Sequence, residues 1–171
     1  GFVPVNNRLE TAVPGIWALG DMNGRGAFTH TAYQEFEIVW ANANGGNRSA
    51  DDRFVTYAMY TDPPLGRVGL SETEARQQDK PMLMATFKMA NISRAVLDGE
   101  TYGLIKLIVE AESEKIVGAT VLGMHGDDVA AVVSNFMYTG ASYKVMQDAL
   151  PIHPSISEFL PTILGRLKPL D

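Results

Sequence analysis

The chain has 171 residues, of which 46% are hydrophobic and 20% are charged, the composition of an ordinary globular protein. Its net charge of −6, from 14 basic and 20 acidic side chains, argues against a nucleic acid or an anionic membrane as its partner, because both bind basic surfaces. The chain also lacks a signal-like amino end and any apolar run near the roughly 18 residues that span a bilayer, so we expect a cytoplasmic protein.

The first 47 residues are predicted to be the end of an α/β domain. Short strands are expected at Val3–Val5 and at Ile16–Leu19, where four apolar residues are too few for a helix and fit a buried strand of a parallel sheet. A helix capped by its first residue is expected over Thr29–Ala43. The apolar face predicted for this helix consists of Ala32, Phe36, Val39, Trp40 and Ala43. Because two strands and one helix cannot close a parallel sheet, we expect the beginning of this domain to be absent.

The remaining residues, 48–171, are predicted to form one α+β domain that follows a polar linker at 48–52. Strands are expected at 54–60, 82–89, 103–110 and 115–124, and helices are expected from Ser71 and over 127–138, 143–150 and 155–164. Strands that come mainly before the helices predict an antiparallel sheet with helices on one face.

The first motif suited to ligand binding is the pair Gly20 and Asp21, directly after the predicted strand. An acidic residue in this position lies at the carboxyl edge of a sheet, where α/β folds bind ligands, and the glycine lets a ligand approach the backbone. The carboxylate of Asp21 can accept hydrogen bonds from hydroxyl groups. A plain Gly-Asp turn would show the same residues, so the pair alone leaves both interpretations open.

The second motif combines His153, which precedes a proline, with Glu158 five residues later at the start of a predicted helix. The proline favours extended backbone at the histidine. A carboxylate bonded to one ring nitrogen would fix the imidazole tautomer and leave the other nitrogen free to exchange a proton near neutral pH. A surface His-Pro turn beside a solvated glutamate would have the same spacing, because the helix dipole favours an acidic residue there in any case.

Taken in order and with their gaps, these motifs resemble the carboxy-terminal dimerisation region of class I flavoprotein pyridine nucleotide-disulfide oxidoreductases. The segment Thr11–Asp21 resembles the second FAD fingerprint of that family, and Thr61–Glu72 resembles the entry into its dimerisation domain. The segment Ile152–Glu158 resembles its His-Pro-Ser/Thr-x-x-Glu signature. The resemblance covers nearly the whole chain and implies the FAD/NAD-linked reductase dimerisation fold, preceded by the tail of an FAD-binding domain.

The resemblance also implies a function. The intact enzyme would use FAD, take electrons from NAD(P)H and form a homodimer through this region. His153 would exchange protons in the partner subunit's active site, with Glu158 orienting it, whereas His125 is interpreted as structural. The Asp21 carboxylate would form hydrogen bonds with the ribityl chain of FAD. The helix that follows would have its amino end directed at the flavin ring. The implied cofactor-binding residues are Gly20, Asp21, Ala27, Phe28, Thr29 and His30.

Two runs, Ser93–Thr101 and Leu160–Leu170, look most like the mercuric-reductase-like group of bacterial FAD oxidoreductases. True mercuric reductases end in a cysteine pair and usually lack the His-Pro dyad. This chain has the dyad and contains no cysteine, so mercury reduction is not implied.

The chain contains neither a Gly-x-Gly-x-x-Gly phosphate cradle nor a redox cysteine pair. We therefore expect an enzyme fragment that binds no cofactor and turns over no substrate by itself. A non-catalytic pairing or binding module is the alternative, although it leaves the His-Glu pair without a purpose. A hydrolase is not indicated, because the sequence has no Gly-x-Ser-x-Gly elbow and no cluster of metal-ligand residues.

Overall fold

One helix, α1 (Thr29–Ala43), organises the amino-terminal unit Gly1–Arg53 in the computed structural model, which describes residues 1–170. The bounds predicted for this helix are confirmed. Its fully buried side chains are Glu35 and Ile38. The small apolar core of the unit consists of Leu9, Ile38 and Ala50, packed against Val5, Leu19 and Val39.

The apolar face predicted for α1 is only partly buried, and the prediction is wrong for Phe36, Trp40 and Ala43, which are exposed. Phe36 and Trp40 are exposed and, with Tyr33, form a row of rings whose centroids lie 6.2 and 6.3 Å apart. Thr29 is the first helical residue rather than the cap, which is Phe28 with φ of 78°. Residues three or four apart define two neighbouring helix faces, so the spacing alone could not show which of them the core covers.

The two short strands predicted in this unit do not form. Val3 has a backbone bond to Met22, but the segment Val3–Val5 pairs with no strand. Within Ile16–Leu19, only Trp17 makes a bridge, which is antiparallel and joins it to Glu10. A strand needs a ladder of successive pairs, and this segment has a single one, so it stays irregular and leads into a 3-10 turn.

The second unit begins at Phe54, and its described part, up to residue 170, contains a six-stranded sheet in which every pairing is antiparallel. The strands are β1 (Thr56–Met59), β2 (Leu65–Gly69), β3 (Met82–Lys88), β4 (Leu104–Glu110), β5 (Ile116–Leu122) and β6 (Lys168–Pro169). They lie in the order β1-β2-β5-β4-β3-β6. The four predicted strands are confirmed, with trimmed ends, as is the antiparallel α+β class.

Strands β2 and β6 were not expected from the sequence. Two of the five residues of β2 are glycines and it directly follows a Pro-Pro pair, a composition that is poor in strands. The structure explains Gly66: a Cβ at this position would lie 2.2 Å from the carbonyl oxygen of Gly126, so only glycine lets the strand pass beneath the helix. The two-residue β6 pairs only with β3, at the edge of the sheet, where a proline is tolerated.

Within residues 54–170, five helices accompany the sheet: α2 (Glu72–Arg76), α3 (Ser93–Asp98), α4 (Gly126–Tyr138), α5 (Tyr143–Gln147) and α6 (Leu160–Leu164). The short α3 was missed, and α5 ends three residues earlier than predicted. The helix predicted over 155–164 begins later, as a 3-10 turn at Ser157–Phe159 that continues into α6.

The main core lies between the sheet and the helices α4 and α6. It buries alternate residues of β4, Ile105 and Leu107, against Val133 of α4 and Ile163 of α6, all of which have no exposed surface. Helix α2 covers part of the opposite face, where Ala75 packs with Ile108. This helix starts with the predicted capping box. The backbone N–H of Ser71 donates to the Glu74 carboxylate at 2.7 Å, and the backbone N–H of Glu74 donates to the Ser71 hydroxyl at 3.1 Å.

An ion pair fixes α2 to the sheet. Hydrogen bonds from Lys106 on β4 and from Arg76 hold the pKa of the Glu72 carboxyl below its usual value.

The segment predicted as a linker, 48–52, includes a 3-10 turn whose Ala50 is buried within the amino-terminal unit. In residues 1–170, no helix has both the length and the apolar character that crossing a bilayer requires.

The close approach of β2 and α4 should make Gly66 intolerant of a single added methyl group. We expect Gly66→Ala to lower the free energy of unfolding by about 1–3 kcal/mol, the usual cost of overpacking. The matched control is Gly165→Ala, whose Cβ would have no neighbour nearer than 3.5 Å and should change stability by under about 0.5 kcal/mol. Urea unfolding measures both, and equal stabilities of the two variants would contradict the packing described.

Candidate functional site

His153 and Glu158 are in direct contact. The imidazole Nδ1 lies 2.7 Å from the carboxylate Oε2. The side chain of His153 is 75% exposed, whereas that of Glu158 is only 9% exposed. The structure thus brings together the two residues of the predicted dyad, with the acid anchored in the protein and the ring projecting from it. Their catalytic role stays a prediction.

The loop that carries the dyad is fixed by a second layer of hydrogen bonds. The hydroxyl of Ser155 donates to the carbonyl of Ile152 at 2.7 Å and accepts from the backbone N–H of Glu158 at 3.2 Å. The neighbouring side chains Ile156 and Leu160 are buried in the main core. The backbone around Glu158 is therefore fixed by this hydrogen bond and by the packing of its neighbours in the core.

This geometry determines what the imidazole can do. When Nδ1 carries a hydrogen, it donates to Glu158, and Nε2 then presents a lone pair to the outside. If Nε2 takes up a proton, the carboxylate stabilises the resulting imidazolium ion. The pair can thus act as a general acid and base at Nε2, toward a group supplied from outside this surface.

Exposed apolar side chains lie beside the loop that carries the dyad. Leu150 and Ile152, just before His153, are 97% and 82% exposed, and Val132 and Val145 are also exposed. A groove of about 460 Å³ lies beside these side chains and is lined in part by Phe136, Met146 and Pro161. Apolar surface of this extent around an exposed imidazole is typical of a face that another molecule covers.

His125, which we interpreted as structural, is not part of the dyad, although it lines a cavity together with the loop that carries the dyad. It precedes α4 in the left-handed conformation, and its Nδ1 is 3.7 Å from the carboxylate of Asp128, too far for a hydrogen bond. Both residues line a cavity of about 250 Å³ together with Arg94. The guanidinium of Arg94 is paired with Asp98 at 2.6 Å, so it is committed within its own helix.

The residues predicted to bind a cofactor all lie in the amino-terminal unit. Gly20 is buried with φ of 69°, and Asp21 beside it is exposed in the 3-10 turn Gly20–Asn23. Ala27, Phe28, Thr29 and His30 are exposed at the amino end of α1, and the rings of Phe28 and His30 stack with centroids 5.8 Å apart. This region thus offers the exposed carboxylate of Asp21 and the amino end of α1. The helix dipole favours negative charge on a group that binds beside that amino end.

Sequence reasoning missed three residues whose hydrogen bonds fix this turn, namely Asn23, Glu35 and Arg53. Glu35 has no exposed surface and bonds to the turn directly. A signal for it was present, because Glu35 stands three residues from both Ala32 and Ile38, on the inner side of the helix. An ionisable residue in such a position is rarely buried unless it is paired.

Comparison with known proteins identifies the second unit. Residues 55–163 match the model of the family described as pyridine nucleotide-disulphide oxidoreductase, dimerisation domain. The chain is 34% identical over 170 residues to the probable pyridine nucleotide-disulfide oxidoreductase RclA of Escherichia coli, covering 98% of the chain and 38% of that relative. It is also 32% identical over 160 residues to the dihydrolipoyl dehydrogenase of Thermus scotoductus, covering 94% and 34%.

Solved structures show the same fold. The HOCl-induced flavoprotein disulfide reductase RclA from Escherichia coli superposes with a TM-score of 0.87 at 33% identity, over 96% of this chain and 38% of that chain. LpdA from Mycobacterium tuberculosis superposes with a TM-score of 0.89 at 17% identity, over 96% and 36%. The chain thus spans little more than a third of the length of the proteins it matches.

The bond to Glu158 should fix the tautomer of His153. In the neutral ring of His153 we expect the hydrogen to be on Nδ1, because Oε2 of Glu158 accepts it there. Glu158→Ala should remove that preference. Ring ¹⁵N chemical shifts distinguish the tautomers, and His125, which lacks such a bond, is the internal control. Identical His153 shifts in wild type and variant would refute the contact.

Proposed function

The chain belongs to the pyridine nucleotide-disulphide oxidoreductase dimerisation family, and on that premise we propose that it joins two subunits of an FAD-dependent, NAD(P)H-linked disulfide oxidoreductase and supplies His153 to the partner's active site. The observation that carries this proposal is the 2.7 Å contact between His153 and Glu158 at the edge of an exposed apolar surface. A carboxylate-bonded imidazole is suited to acid–base work, and the surface around it is suited to pairing.

The proposed partner is a second copy of the same subunit. In a two-fold pair the same patch of both subunits meets, so each would cover the exposed Leu150 and Ile152 of the other. His153 projects from that patch, and pairing would carry its Nε2 toward groups of the neighbouring subunit. One contact would thereby bury the apolar surface and give the imidazole a substrate.

In the proposed enzyme, the two electrons that reduce a disulfide would come from NAD(P)H by way of the bound FAD. Reducing a disulfide to two thiols also takes two protons. The role of His153 is to hold one of them on Nε2 and to give it to the leaving sulfur, and in the reverse direction to take it back. Glu158 keeps Nδ1 protonated and stabilises the imidazolium ion while the proton is held.

The amino-terminal unit offers groups that fit such a cofactor. Asp21 presents an exposed carboxylate that can accept hydrogen bonds from the hydroxyls of a ribityl chain. A Cβ at Gly20 would lie 3.3 Å from that of Ala32, so the turn and the helix approach each other as closely as glycine allows. The amino end of α1, with Thr29 and His30, would favour negative charge on the flavin ring.

The acceptor of the electrons is proposed only as a disulfide. The runs that look like mercuric-reductase-like enzymes form α3, α6 and β6, which are structural elements of the second unit. They therefore concern packing and not the choice of acceptor. The matched proteins include a flavoprotein disulfide reductase and several dihydrolipoyl dehydrogenases, and disulfide chemistry is what these names share.

Replacing His153 tests the proposed role. In the full-length flavoprotein that contains this chain, we expect His153→Gln to slow turnover of a disulfide substrate at neutral pH by about 10²–10⁴-fold, the usual contribution of a general acid–base group. Flavin content should stay unchanged. His125→Gln is the matched control, because this residue is also partly exposed and makes no bond to its nearest acid. Undiminished turnover of the His153 variant would remove it from the mechanism.

A further inference from the structure

We infer that the buried carboxylate of Glu35 is a positioning group that holds the turn Gly20–Asn23 in the shape that binds FAD, an inference that rests on the proposed function. Glu35 lies in the middle of α1 and has no exposed surface. It contacts the turn that carries Asp21, and it would touch neither the cofactor nor a substrate. Its action would be through the turn.

One carboxylate oxygen of Glu35 binds both ends of the turn. Oε2 accepts from the backbone N–H of Gly20 at 2.6 Å and from the side-chain amide of Asn23 at 2.8 Å. Asp21 lies between these two anchor points and points its carboxylate to the outside. The position of Asp21 is therefore set by a buried group on a different element of the unit.

The other carboxylate oxygen is bound by Arg53. Nη2 of Arg53 donates to Oε1 of Glu35 at 2.8 Å and to the carbonyl of Arg25, just beyond the turn, at 3.0 Å. The arginine side chain is itself mostly buried. The charge of the carboxylate is thereby balanced, and the same guanidinium fixes the backbone that follows the turn.

Asn23 completes the clamp from within the turn. Its amide also donates to the carbonyl of Ala18 at 3.1 Å, and its Oδ1 accepts from the backbone N–H of Arg25 at 2.8 Å. The backbone is thus fixed before and after Gly20–Asn23, as well as at both of its ends. Little freedom is left for a turn that a ligand would otherwise have to order at the cost of binding energy.

Only a carboxylate satisfies this arrangement. Three donors converge on Glu35, namely the N–H of Gly20, the amide of Asn23 and the guanidinium of Arg53. A glutamine has one acceptor oxygen and an NH₂ group, so one of these donors would face another donor. An apolar residue would leave the N–H of Gly20 and the hydrogens that Asn23 and Arg53 direct at Glu35 without an acceptor in a buried place, which is costly.

A purely structural role is the competing explanation. Burying an ion pair is a poor way to gain stability, because an apolar replacement of similar volume often serves as well or better. Two of the three donors bound by Glu35 belong to the one turn that presents Asp21. The network is therefore concentrated where the proposed cofactor would bind, which favours positioning over general support of the unit.

The test uses the full-length flavoprotein after removal and stoichiometric return of FAD. We expect Glu35→Gln to weaken FAD binding about tenfold, the factor that corresponds to one lost buried hydrogen bond. Glu37→Gln on the same helix, whose side chain is 43% exposed and faces Arg48 at 3.7 Å, should leave the affinity unchanged. Fluorescence titration with FAD measures both.

A double-variant cycle separates positioning from a merely structural role. If Glu35 acts through the turn, Glu35→Gln should cost much less FAD affinity in an Asp21→Ala background than in the wild type. Equal fold-losses in both backgrounds would overturn the inference. Should Glu35→Gln fail to fold, Asn23→Ala takes its place in the cycle, because it removes one of the two hydrogen bonds to Oε2 and leaves Glu35 and its pair with Arg53 in place.

Two further outcomes distinguish failure of the inference from failure of the proposed function. If Glu35→Gln and Asn23→Ala both bind FAD as tightly as the wild type, the inference is wrong and the proposed function stands. If the wild-type flavoprotein binds no FAD at all, the proposed function and the inference fail together.

Discussion

The hydrogen bond between the mostly buried carboxylate of Glu158 and the exposed imidazole of His153 is the interaction on which the proposed function depends. Glu158 is held by its own backbone and by the core below it, so the ring that it bonds is oriented before any partner arrives. Preorganisation of this kind is what allows a single side chain to transfer protons efficiently. Without the anchor, His153 would be one mobile side chain on an exposed loop.

The same device recurs in the amino-terminal unit. There, Glu35 is the buried acid, and it fixes a backbone turn in place of an imidazole ring. In both cases the acid is hidden and the group that it orients, His153 or Asp21, is exposed. Each unit thus presents one chemically useful group on a prearranged support.

Much of the fold could be read from the sequence, because long periodic segments such as α1, α4 and the β4–β5 pair carry strong signals. The failures have physical causes. Strand β2 was missed because glycine is uncommon in strands, whereas its two glycines are needed here for the close approach of α4. Ile16–Leu19 has an apolar run but only one bridge, so it is not a strand. The dyad could be predicted from its motif. The burial of Glu35 left a signal in the helix spacing, but its partners could not be predicted, because they are backbone and side-chain groups brought together only by folding.

The central claim, that His153 acts only across a subunit interface, is tested most directly by breaking the pairing surface and leaving the dyad intact. The double variant Leu150→Asp, Ile152→Asp of the full-length flavoprotein places two charges on the most exposed apolar residues of that surface. Sedimentation, flavin content and turnover are then measured on the same sample. The account predicts a monomer that keeps its FAD and loses turnover by about 10²-fold or more. A variant that remains dimeric, or a monomer that turns over at the wild-type rate, would contradict it.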